Sequence, residues 1–580
     1  MWNNFSLASI NGVVNYRHAI CNICFRIFLF RNESGRSTGT GSLQDHLNSK
    51  NECKYGAGFN QMSIKKFSTH KKHLSSADKE MLKELEAKFI VCGYNSFNSL
   101  ENESFVELLQ FCIKIGMSYG HVDVKNILYG RNTISNYISE LYTSKKQLIR
   151  STILSLGENP PLCFSCDIWT EQINHVSYFD LTLYFVDPHF ELHHHLLEFC
   201  PFKEAHTSDN IFDLVNKISL EYGINMFIAP FVTDCGANVK AAFQHGEWYT
   251  CFSHRLHTTI AKSWSKTLEI DPHVNDIYSQ MRKVQNYFHS SSNKENMLPF
   301  KIPSGCVTRP WTGLSRFFSS FTKSYDKILE IIYQHTDIIP PTNKRLLFAL
   351  CDAFQSISPI ISMLETSNVP TLHLVLLSYL KLRKIISNWP PIIDEFKKNI
   401  DQFLFNVYGK SISNIHLIAC YIHPKFKSLS FLNADENNLP LTADSLLQNL
   451  KMLQTNLNLF SEPEIVTGFE EQIPVAKVGF FDDFADAKGL DIIRKSSSIE
   501  KEVGRYNALI INEDYDNVLT FWKNADFKIL GLIAKKVFAI PASSAEPERH
   551  NSAGGNTISH LRNSLNEEKL GEIVLLNEFY

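Results

Sequence analysis

The chain lacks an excess of positive charge. Its 580 residues include 57 Lys and Arg against 60 Asp and Glu, which gives a formal net charge of −3. A protein that coats nucleic acid over its whole surface needs a strongly basic balance, so the composition excludes that class. Any contact with nucleic acid must therefore come from local basic patches.

Cysteine and long apolar runs are also scarce. The 13 Cys are too few for a disulfide-rich secreted scaffold, which favours a reducing, intracellular compartment. The first residues lack a basic segment followed by an apolar one. The most apolar run, 372–380, contains His373 and stops at Lys381. We therefore expect neither secretion nor a membrane span.

Apolar residues are plentiful and follow two different periods. Hydrophobic residues make up 44% of the chain, and at about 150 residues per domain the length indicates three or four folded units. Alternating or short apolar runs predict strands, and apolar residues at helical spacing dominate 274–459. The predicted order near the middle of the chain is three strands at 162–168, 178–186 and 191–199, a helix at 209–222 and a strand at 226–232. We predict a mixed α/β sheet accompanied by a large helical region.

A possible zinc site lies near the start of the chain. Cys21 and Cys24 have the spacing of a metal knuckle, and His46 and Cys53 could complete a tetrahedral Zn²⁺ site. Six residues separate His46 from Cys53, outside the commonest spacing of a second ligand pair. The sequence leaves open a longer loop, a degenerate site or two incidental cysteines.

A basic stretch follows at 64–73 and includes Lys65 and Lys66. Such a stretch contacts phosphates or directs a protein to the nucleus, and a solvated linker has the same composition. Helical spacing then continues to about Leu154. The three histidines 193–195 lie within a predicted strand, where neighbouring side chains point to opposite faces. They cannot converge on one metal, so we interpret them as structural or surface residues.

Two carboxylates stand at strand ends. Asp167 ends the first strand of the predicted sheet, and Asp234 ends the last one. Carboxylates that approach at one edge of a sheet repel each other unless they share divalent cations, which is the setting of phosphodiester chemistry. Taken singly, each Asp fits a strand-end cap better than a metal ligand. An exonuclease site of the Asp-x-Glu type is disfavoured because Trp169 occupies the position of its second acid.

Short segments around these strands occur in a fixed order: CDIWT at 166–170, HTSDNI at 206–211, TDCGAN at 233–238 and CFSH at 251–254. This order resembles the first-Asp motif, the His-Thr segment, the second-Asp motif and the Cys-x-x-His motif of hAT superfamily transposases. Residues 521–523 and 540–554 resemble the C-terminal dimerisation region of the same family. The third catalytic carboxylate of that family, a Glu before Arg, falls on Glu548.

The chain departs from the family pattern near this Glu. Pro547 stands where a small residue is usual, and His550-Asn551 replaces a pair that contains an aromatic residue. Arg309-Pro310-Trp311 resembles the Arg-Trp motif with a Pro inserted. In relatives that Trp stacks on a displaced base, and a core role for Trp311 is the alternative. Cys251 and His254 lack further metal or nucleophile partners nearby, so we assign them structural or DNA-positioning roles.

The resemblance implies a fold of class α/β plus α, with a ribonuclease H-like sheet interrupted by helices. It divides the chain into a BED-type zinc finger at 1–58, a helical DNA-binding and dimerisation segment at 59–155, the first part of the core at 156–274, a helical insertion at 275–460, an acidic linker at 461–504 and a dimerisation region that completes the core at 505–580.

The resemblance also implies a function. We expect a nuclear DNA transposase that self-associates and binds double-stranded DNA, with Asp167, Asp234 and Glu548 as ligands of catalytic Mg²⁺ or Mn²⁺. Arg309, Trp311, His254, Lys65 and Lys66 are the candidate DNA contacts, and Cys21, Cys24, His46 and Cys53 are the candidate Zn²⁺ ligands. The alternative is a domesticated relative that binds DNA and dimerises without cutting it.

Overall fold

The computed structural model of the chain describes most of the sequence. The described residues are 5–10, 13–22, 26–31, 41–48, 74–93, 95–157, 160–290, 298, 302, 310–335, 338–433, 446–456, 498–510, 517–558 and 565–580. They form two compact units, residues 1–128 and residues 129–580.

The first unit begins with a small antiparallel sheet. Its strands are β1 (Phe5–Ile10), β2 (Val13–Cys21) and β3 (Ile27–Leu29), and helix α1 (Gly41–Asn48) follows. A small apolar core holds this part together: Phe5, Ala19, Cys21, Phe30 and Leu43. The unit continues with helices α2 (Ser76–Gly93) and α3 (Glu103–Tyr119), in which no residue is buried.

The second unit is built around a five-stranded mixed sheet. Its strands are β4 (Leu162–Thr170), β5 (Ser177–Val186), β6 (Leu192–Pro201), β7 (Phe231–Thr233) and β8 (Trp248–Thr250). They are ordered β6-β5-β4-β7-β8 across the sheet. The pairs β6/β5 and β5/β4 are antiparallel, whereas β4/β7 and β7/β8 are parallel.

Both faces of this sheet are covered. Because side chains alternate along a strand, Phe164 and Cys166 pack in one apolar cluster, and Cys163 packs in another on the opposite face. The first cluster includes buried residues of helix α5 (Ser208–Glu221). Because an apolar cluster covers each face of the sheet, β4 and β5 are apolar on both sides. The second cluster continues into the helical part of the unit.

Helices make up the remainder of the second unit. They are α4 (Arg131–Ser155), α6 (Ala237–Ala242), α7 (Phe252–Ile270), α8 (Pro272–His289), α9 (Pro310–His335), α10 (Lys344–Leu364), α11 (Leu372–Ser387), α12 (Asp394–Phe403), α13 (Asn414–Tyr421), α14 (Leu446–Asn456), α15 (Ser498–Ala508), α16 (Val518–Asn524), α17 (Lys528–Phe538), α18 (Ala545–Thr557) and α19 (Glu567–Asn577). After this long helical stretch the chain returns to the sheet, where α18 packs on β4 and β5, and α19 packs on β6.

One described helix, α10, is long and apolar enough to cross a membrane by length and composition. Ten of its residues are buried in the helical core, among them Leu347, Leu350 and Phe354. A core helix of this kind passes the same test as a membrane span, so its composition is explained by packing.

The mixed α/β class predicted from the sequence is confirmed, with local differences. The short strand β8 (Trp248–Thr250) was not predicted. The strand predicted at 226–232 is a 3₁₀ turn at Met226–Ile228 followed by the three residues of β7. The Asn225 side chain accepts a hydrogen bond from the backbone N–H of Phe227, which stabilises the turn and delays the strand.

The predicted linker at 461–504 overlaps helix α15. Residues 498–504 are helical because Ile499 and Tyr506 are buried. In addition, the Glu502 carboxylate accepts hydrogen bonds from the backbone N–H groups of residues 528–530 at the start of α17. The remaining linker residues up to 497 lie outside the described residues.

Candidate active site

Two carboxylates meet at one edge of the five-stranded sheet. Asp167 lies near the end of β4, and Asp234 directly follows β7. These strands are parallel, with Ser165 paired to Val232. Both strands therefore end at the same edge of the sheet, and Asp167 and Asp234 lie side by side there. Asp167 Oδ1 accepts a hydrogen bond from the backbone N–H of Ile168 at 2.9 Å. Asp234 Oδ1 accepts one from Gly236 at 3.0 Å.

Helix α18 brings the third carboxylate to this edge. The segment before it is anchored to α7, because Ala542 O accepts a hydrogen bond from the backbone N–H of Phe252 at 2.9 Å, and Cys251 Sγ accepts one from Ser544 at 3.3 Å. Pro547 lies in the first turn of α18, where a missing N–H is tolerated. Glu548 follows it and lines the same cavity as the two aspartates.

A glycine allows α18 to lie close to the sheet. A Cβ atom at Gly554 would stand 3.2 Å from the Phe199 ring and 3.3 Å from the Trp169 ring. A Cβ atom at these distances is tighter than an ordinary van der Waals contact, so a larger residue would require the two rings or the helix to shift. The Gly near the end of the family motif is therefore explained by close helix–sheet packing.

The cavity at the sheet edge has a volume of about 810 Å³ and opens to solvent. Asp167, Asp234 and Glu548 line it, as do His254 and His257 from α7. Its wall is thus formed by strand ends, by one face of α18 and by the first turns of α7. An open, acidic cleft of this size admits an extended polar substrate rather than enclosing a small apolar ligand.

Burial and the neighbouring Asp234 both disfavour ionisation of Asp167. Burial, together with the negative charge of Asp234, raises the pKa of Asp167 to about 7. Hydrogen bonds from Ile168 and Asn551 act in the opposite direction. At neutral pH the site therefore holds a carboxyl group that readily ionises when positive charge is supplied.

A second, buried network lies behind the carboxylates. His550 on α18 donates from Nδ1 to Asp180 Oδ2 at 2.7 Å and from Nε2 to Glu578 Oε1 at 2.9 Å. Burial lowers the pKa of His550, but the two carboxylates raise it to about 10. Burial also raises the pKa of Asp180, which is fully enclosed on β5 directly opposite Asp167. The charged imidazole joins α18, β5 and the residue that follows α19.

Asn551 links this helix to the first aspartate. Its Nδ2 donates a hydrogen bond to Asp167 Oδ2 at 2.9 Å. Its Oδ1 is buried and accepts no hydrogen bond from any residue that the structure describes. The sequence marked His550 and Asn551 only as departures from the family pattern, and no local pattern indicates their contacts with β4 and β5.

The donor set fits a divalent cation with a preference for oxygen. Carboxylate and amide oxygens are the ligands that Mg²⁺ and Mn²⁺ take in proteins. The buried Asn551 Oδ1, which accepts no hydrogen bond from the described residues, and the raised pKa of Asp167 are both compatible with a cation at this point. Within the described residues, three ligand atoms lie within 4.8 Å of one another only at Asp187, Glu191 and His193. The three cavity carboxylates do not all lie within that distance of one another, so a Mg²⁺ ion held by them would keep water or phosphate oxygens among its ligands.

The other predicted site residues are distributed over both units. His254 lines the cavity. Trp311 is the second residue of α9, and its side chain lies outside the described residues, as do Arg309, Lys65 and Lys66. Cys21 and His46 are both buried in the first unit, where the His46 ring lies 4.7 Å from the Phe28 ring. Cys24 and Cys53 lie outside the described residues.

The three neighbouring histidines of β6 point to different surroundings. His193 Nε2 lies 3.3 Å from Asp187, whereas His194 Nε2 lies 3.9 Å from Glu546 at the start of α18. Burial lowers the pKa of His195. The histidines therefore contact separate partners along the strand.

Three family models match the chain. Residues 507–580 match the hAT family C-terminal dimerisation region, residues 165–245 match a ZBED1 RNase-like domain, and residues 68–133 match the Hermes transposase DNA-binding domain. The second match contains Asp167 and Asp234, and the first contains Glu548. Over these regions the chain is similar to hAT transposases, as its motifs predicted; the BED-type zinc finger stays a prediction.

Named relatives agree with this class. The chain is 26% identical to the Hobo transposase of Drosophila melanogaster over 367 residues, which are 61% of the chain and 55% of that protein. It is 20% identical to the Zea mays protein "Putative AC transposase", covering 93% of the chain and 70% of that protein. The chain is also 20% identical to zinc finger protein 618 of Homo sapiens over 305 residues, which are 51% of the chain and 31% of that protein.

Proposed function

We propose that this chain is a hAT-type DNA transposase that cuts DNA at the ends of a mobile element and joins the freed ends to new DNA. The observation that carries the proposal is the convergence of Asp167, Asp234 and Glu548 on one open cavity. Both reactions are in-line displacements at phosphorus, first by water and then by a 3′-hydroxyl, and neither requires a covalent intermediate with the protein.

The three carboxylates would hold the divalent cation, Mg²⁺ or Mn²⁺. When bound, such a cation offsets the negative charge that the phosphate carries during displacement. The residues of the chain fix where that happens. Backbone N–H groups orient Asp167 and Asp234, and the close packing of α18 on the sheet keeps Glu548 at the same edge.

The sheet supports assignment to a ribonuclease H-like core. The sheet has three antiparallel strands and then two parallel ones, which agrees with that fold class. The two aspartates lie at the ends of β4 and β7, the first and fourth strands of this sheet in chain order. In this proposal the helical stretch from α8 to α14 is the insertion into that core. In this proposal 505–580 completes the core and takes part in self-association.

DNA contacts are proposed to come from several parts of the chain. The helical segment 59–155 would bind element ends, and Lys65 and Lys66 would contact phosphates. His254, Arg309 and Trp311 would contact DNA near the cleavage point. A BED-type finger at 1–58 would hold Zn²⁺ through Cys21, Cys24, His46 and Cys53. Action on DNA implies a location in the nucleus.

The alternative is a domesticated relative that binds DNA and dimerises without cutting. The observation in its favour is the similarity of half the chain to a protein named as a zinc finger protein, not as a transposase. Retention of all three carboxylates favours the active enzyme.

Cleavage of labelled double-stranded DNA carrying candidate element ends separates the two functions. We expect the parent protein to cut this DNA with Mg²⁺ or Mn²⁺, and the Asp167→Asn variant to bind it without cutting. Asp213→Asn, which alters a carboxylate on α5 outside the cavity, is the matched control and should cut like the parent. Binding without cutting by the parent would favour the domesticated alternative.

A further inference from the structure

Asn551 is a buried polar residue of the cavity wall that has no role in the proposed reaction. It lies on α18, three residues after Glu548, and therefore on the same face of the helix. Its side chain lines the cavity, yet only 7% of the residue is exposed. A polar side chain buried to this degree needs partners for both of its amide atoms.

Only one of the two amide atoms has such a partner among the described residues. Nδ2 donates to Asp167 Oδ2 at 2.9 Å, whereas Oδ1 is buried and accepts no hydrogen bond from them. The assignment of the two atoms follows from chemistry, since a carboxylate accepts hydrogen bonds and would repel the amide oxygen. An unsatisfied buried oxygen costs about 1–3 kcal/mol, so its retention requires an explanation.

We propose that the Oδ1 atom of Asn551 is a further oxygen ligand of the divalent cation held by Asp167, Asp234 and Glu548. This inference rests on the proposed function, since it assigns a fourth protein ligand to the same cation. The two amide heteroatoms share one carbon, so the hydrogen bond to Asp167 keeps Oδ1 beside the first carboxylate. Nδ2 thereby orients Asp167, and Oδ1 supplies the ligand.

A neutral ligand suits this position better than another acid. Asp167, Asp234 and Glu548 already bring three carboxylates to one cavity, and a fourth carboxylate would increase their mutual repulsion in the absence of the cation. An amide oxygen has lone pairs for a hard cation and adds no charge. The same side chain therefore increases the number of ligands without adding charge repulsion when no cation is bound.

Binding of Mn²⁺ to the full-length protein without DNA tests the assignment. The free Mn²⁺ concentration is measured by electron paramagnetic resonance for the parent and for the variants Asn551→Leu, Asn551→Asp and Asp167→Asn. The matched control is Asn556→Leu, because Asn556 lines the same cavity from the same helix and is exposed. Melting temperatures without cation show that each variant is folded.

We expect Asn551→Leu to weaken Mn²⁺ binding by about 10- to 100-fold, the range seen when groups around a metal are removed. Its melting temperature without cation should stay close to that of the parent, since loss of the hydrogen bond to Asp167 is offset by loss of the buried oxygen that accepts no hydrogen bond from the described residues. Asn551→Asp keeps an oxygen at this position and adds charge, so it should bind Mn²⁺ at least as tightly as the parent. Asn556→Leu should bind like the parent.

Other results would overturn the assignment. If Asn551→Leu binds Mn²⁺ like the parent while Asp167→Asn does not, Asn551 is no ligand and the proposed function stands. If Asn551→Leu and Asn551→Asp weaken binding equally, Asn551 only orients Asp167. If the parent itself binds no Mn²⁺, both the assignment and the proposed cation site are wrong.

Discussion

Helices α3 and α18 show opposite relations between sequence and environment. Helix α3 is apolar and regular, with its start capped by Asn102, yet none of its residues is buried. Helix α18 contains Pro547, Gly554 and Gly555, which are poor helix formers, yet six of its residues are buried. The first helix is favoured by its own sequence, whereas the second depends on the sheet beneath it.

Helix α18 contributes to the cavity, and helix α3 contributes exposed apolar surface. Buried polar contacts hold α18 in place, through His550 with Asp180 and Asn551 with Asp167. These contacts position Glu548 at the cavity. The exposed side chains of α3, such as Leu109 and Phe111, leave apolar surface that the proposed self-association would cover.

The largest effect is expected from Glu548→Gln on α18. The change removes a ligand charge and keeps the shape of the side chain, so cleavage should fall by about 1000-fold, equivalent to about 4 kcal/mol. Single-turnover cleavage of labelled DNA measures it. Glu171→Gln is a control, since Glu171 also lines the cavity but caps a turn through the backbone N–H of Ile173. Equal losses in both variants would contradict the specific role of Glu548.

A smaller effect is expected from His550→Ala. Removing the charged imidazole leaves Asp180 buried without its partner, which should lower the free energy of unfolding by about 3 kcal/mol. This value is at the lower end of the range for breaking a buried ion pair. The cost is small because Asp180 can take up a proton and so avoid being a buried, unpaired charge. Chemical denaturation measures the change, and His189→Ala at an exposed turn should alter stability by less than about 0.5 kcal/mol. A similar change in both variants would show that the network does not hold α18.

The same network should make stability depend on pH. The pKa of His550 is about 10 in the folded protein and about 6.5 for an unfolded histidine. Its stabilising contribution is therefore complete below about pH 6.5 and is lost as the pH rises through about 10. Asp180→Asn removes the main charge that raises this pKa, so denaturation between pH 7 and 10 should show a flatter profile. The exposed Asp326→Asn should keep the slope of the parent.

The smallest effect is expected on α3. Phe111→Asp should weaken self-association by about tenfold, equivalent to about 1.4 kcal/mol. The melting temperature of the dissociated protein should not change, since Phe111 is 58% exposed. Sedimentation over a concentration series measures the first quantity, and Lys114→Asp on the same helix controls for the added charge. A lower melting temperature of the dissociated protein would show that the Phe111 face packs within one copy of the chain.

The sequence predicts elements whose signal is local. Strands β4 to β6 and helix α5 follow from short apolar periods, and the carboxylates follow from motifs at strand ends. The turn at Met226–Ile228 was missed because a hydrogen bond to the side chain of Asn225 stabilises it. The spacing of apolar residues carries no signal of that hydrogen bond. The His550–Asp180 contact joins residues 370 positions apart, and no local pattern records such a pair. Asn551 was visible only as a departure from the family.

Substitution of Asp234 by Cys tests the central claim most directly. A thiolate binds Mn²⁺ better than the harder Mg²⁺, so a residue that contacts the cation should change which ion supports the reaction. We expect the Asp234→Cys variant to lose DNA cleavage in Mg²⁺ and to recover part of it in Mn²⁺. Cleavage in Mg²⁺ equal to that of the parent would contradict the account, because Asp234 would then lie outside the cation site.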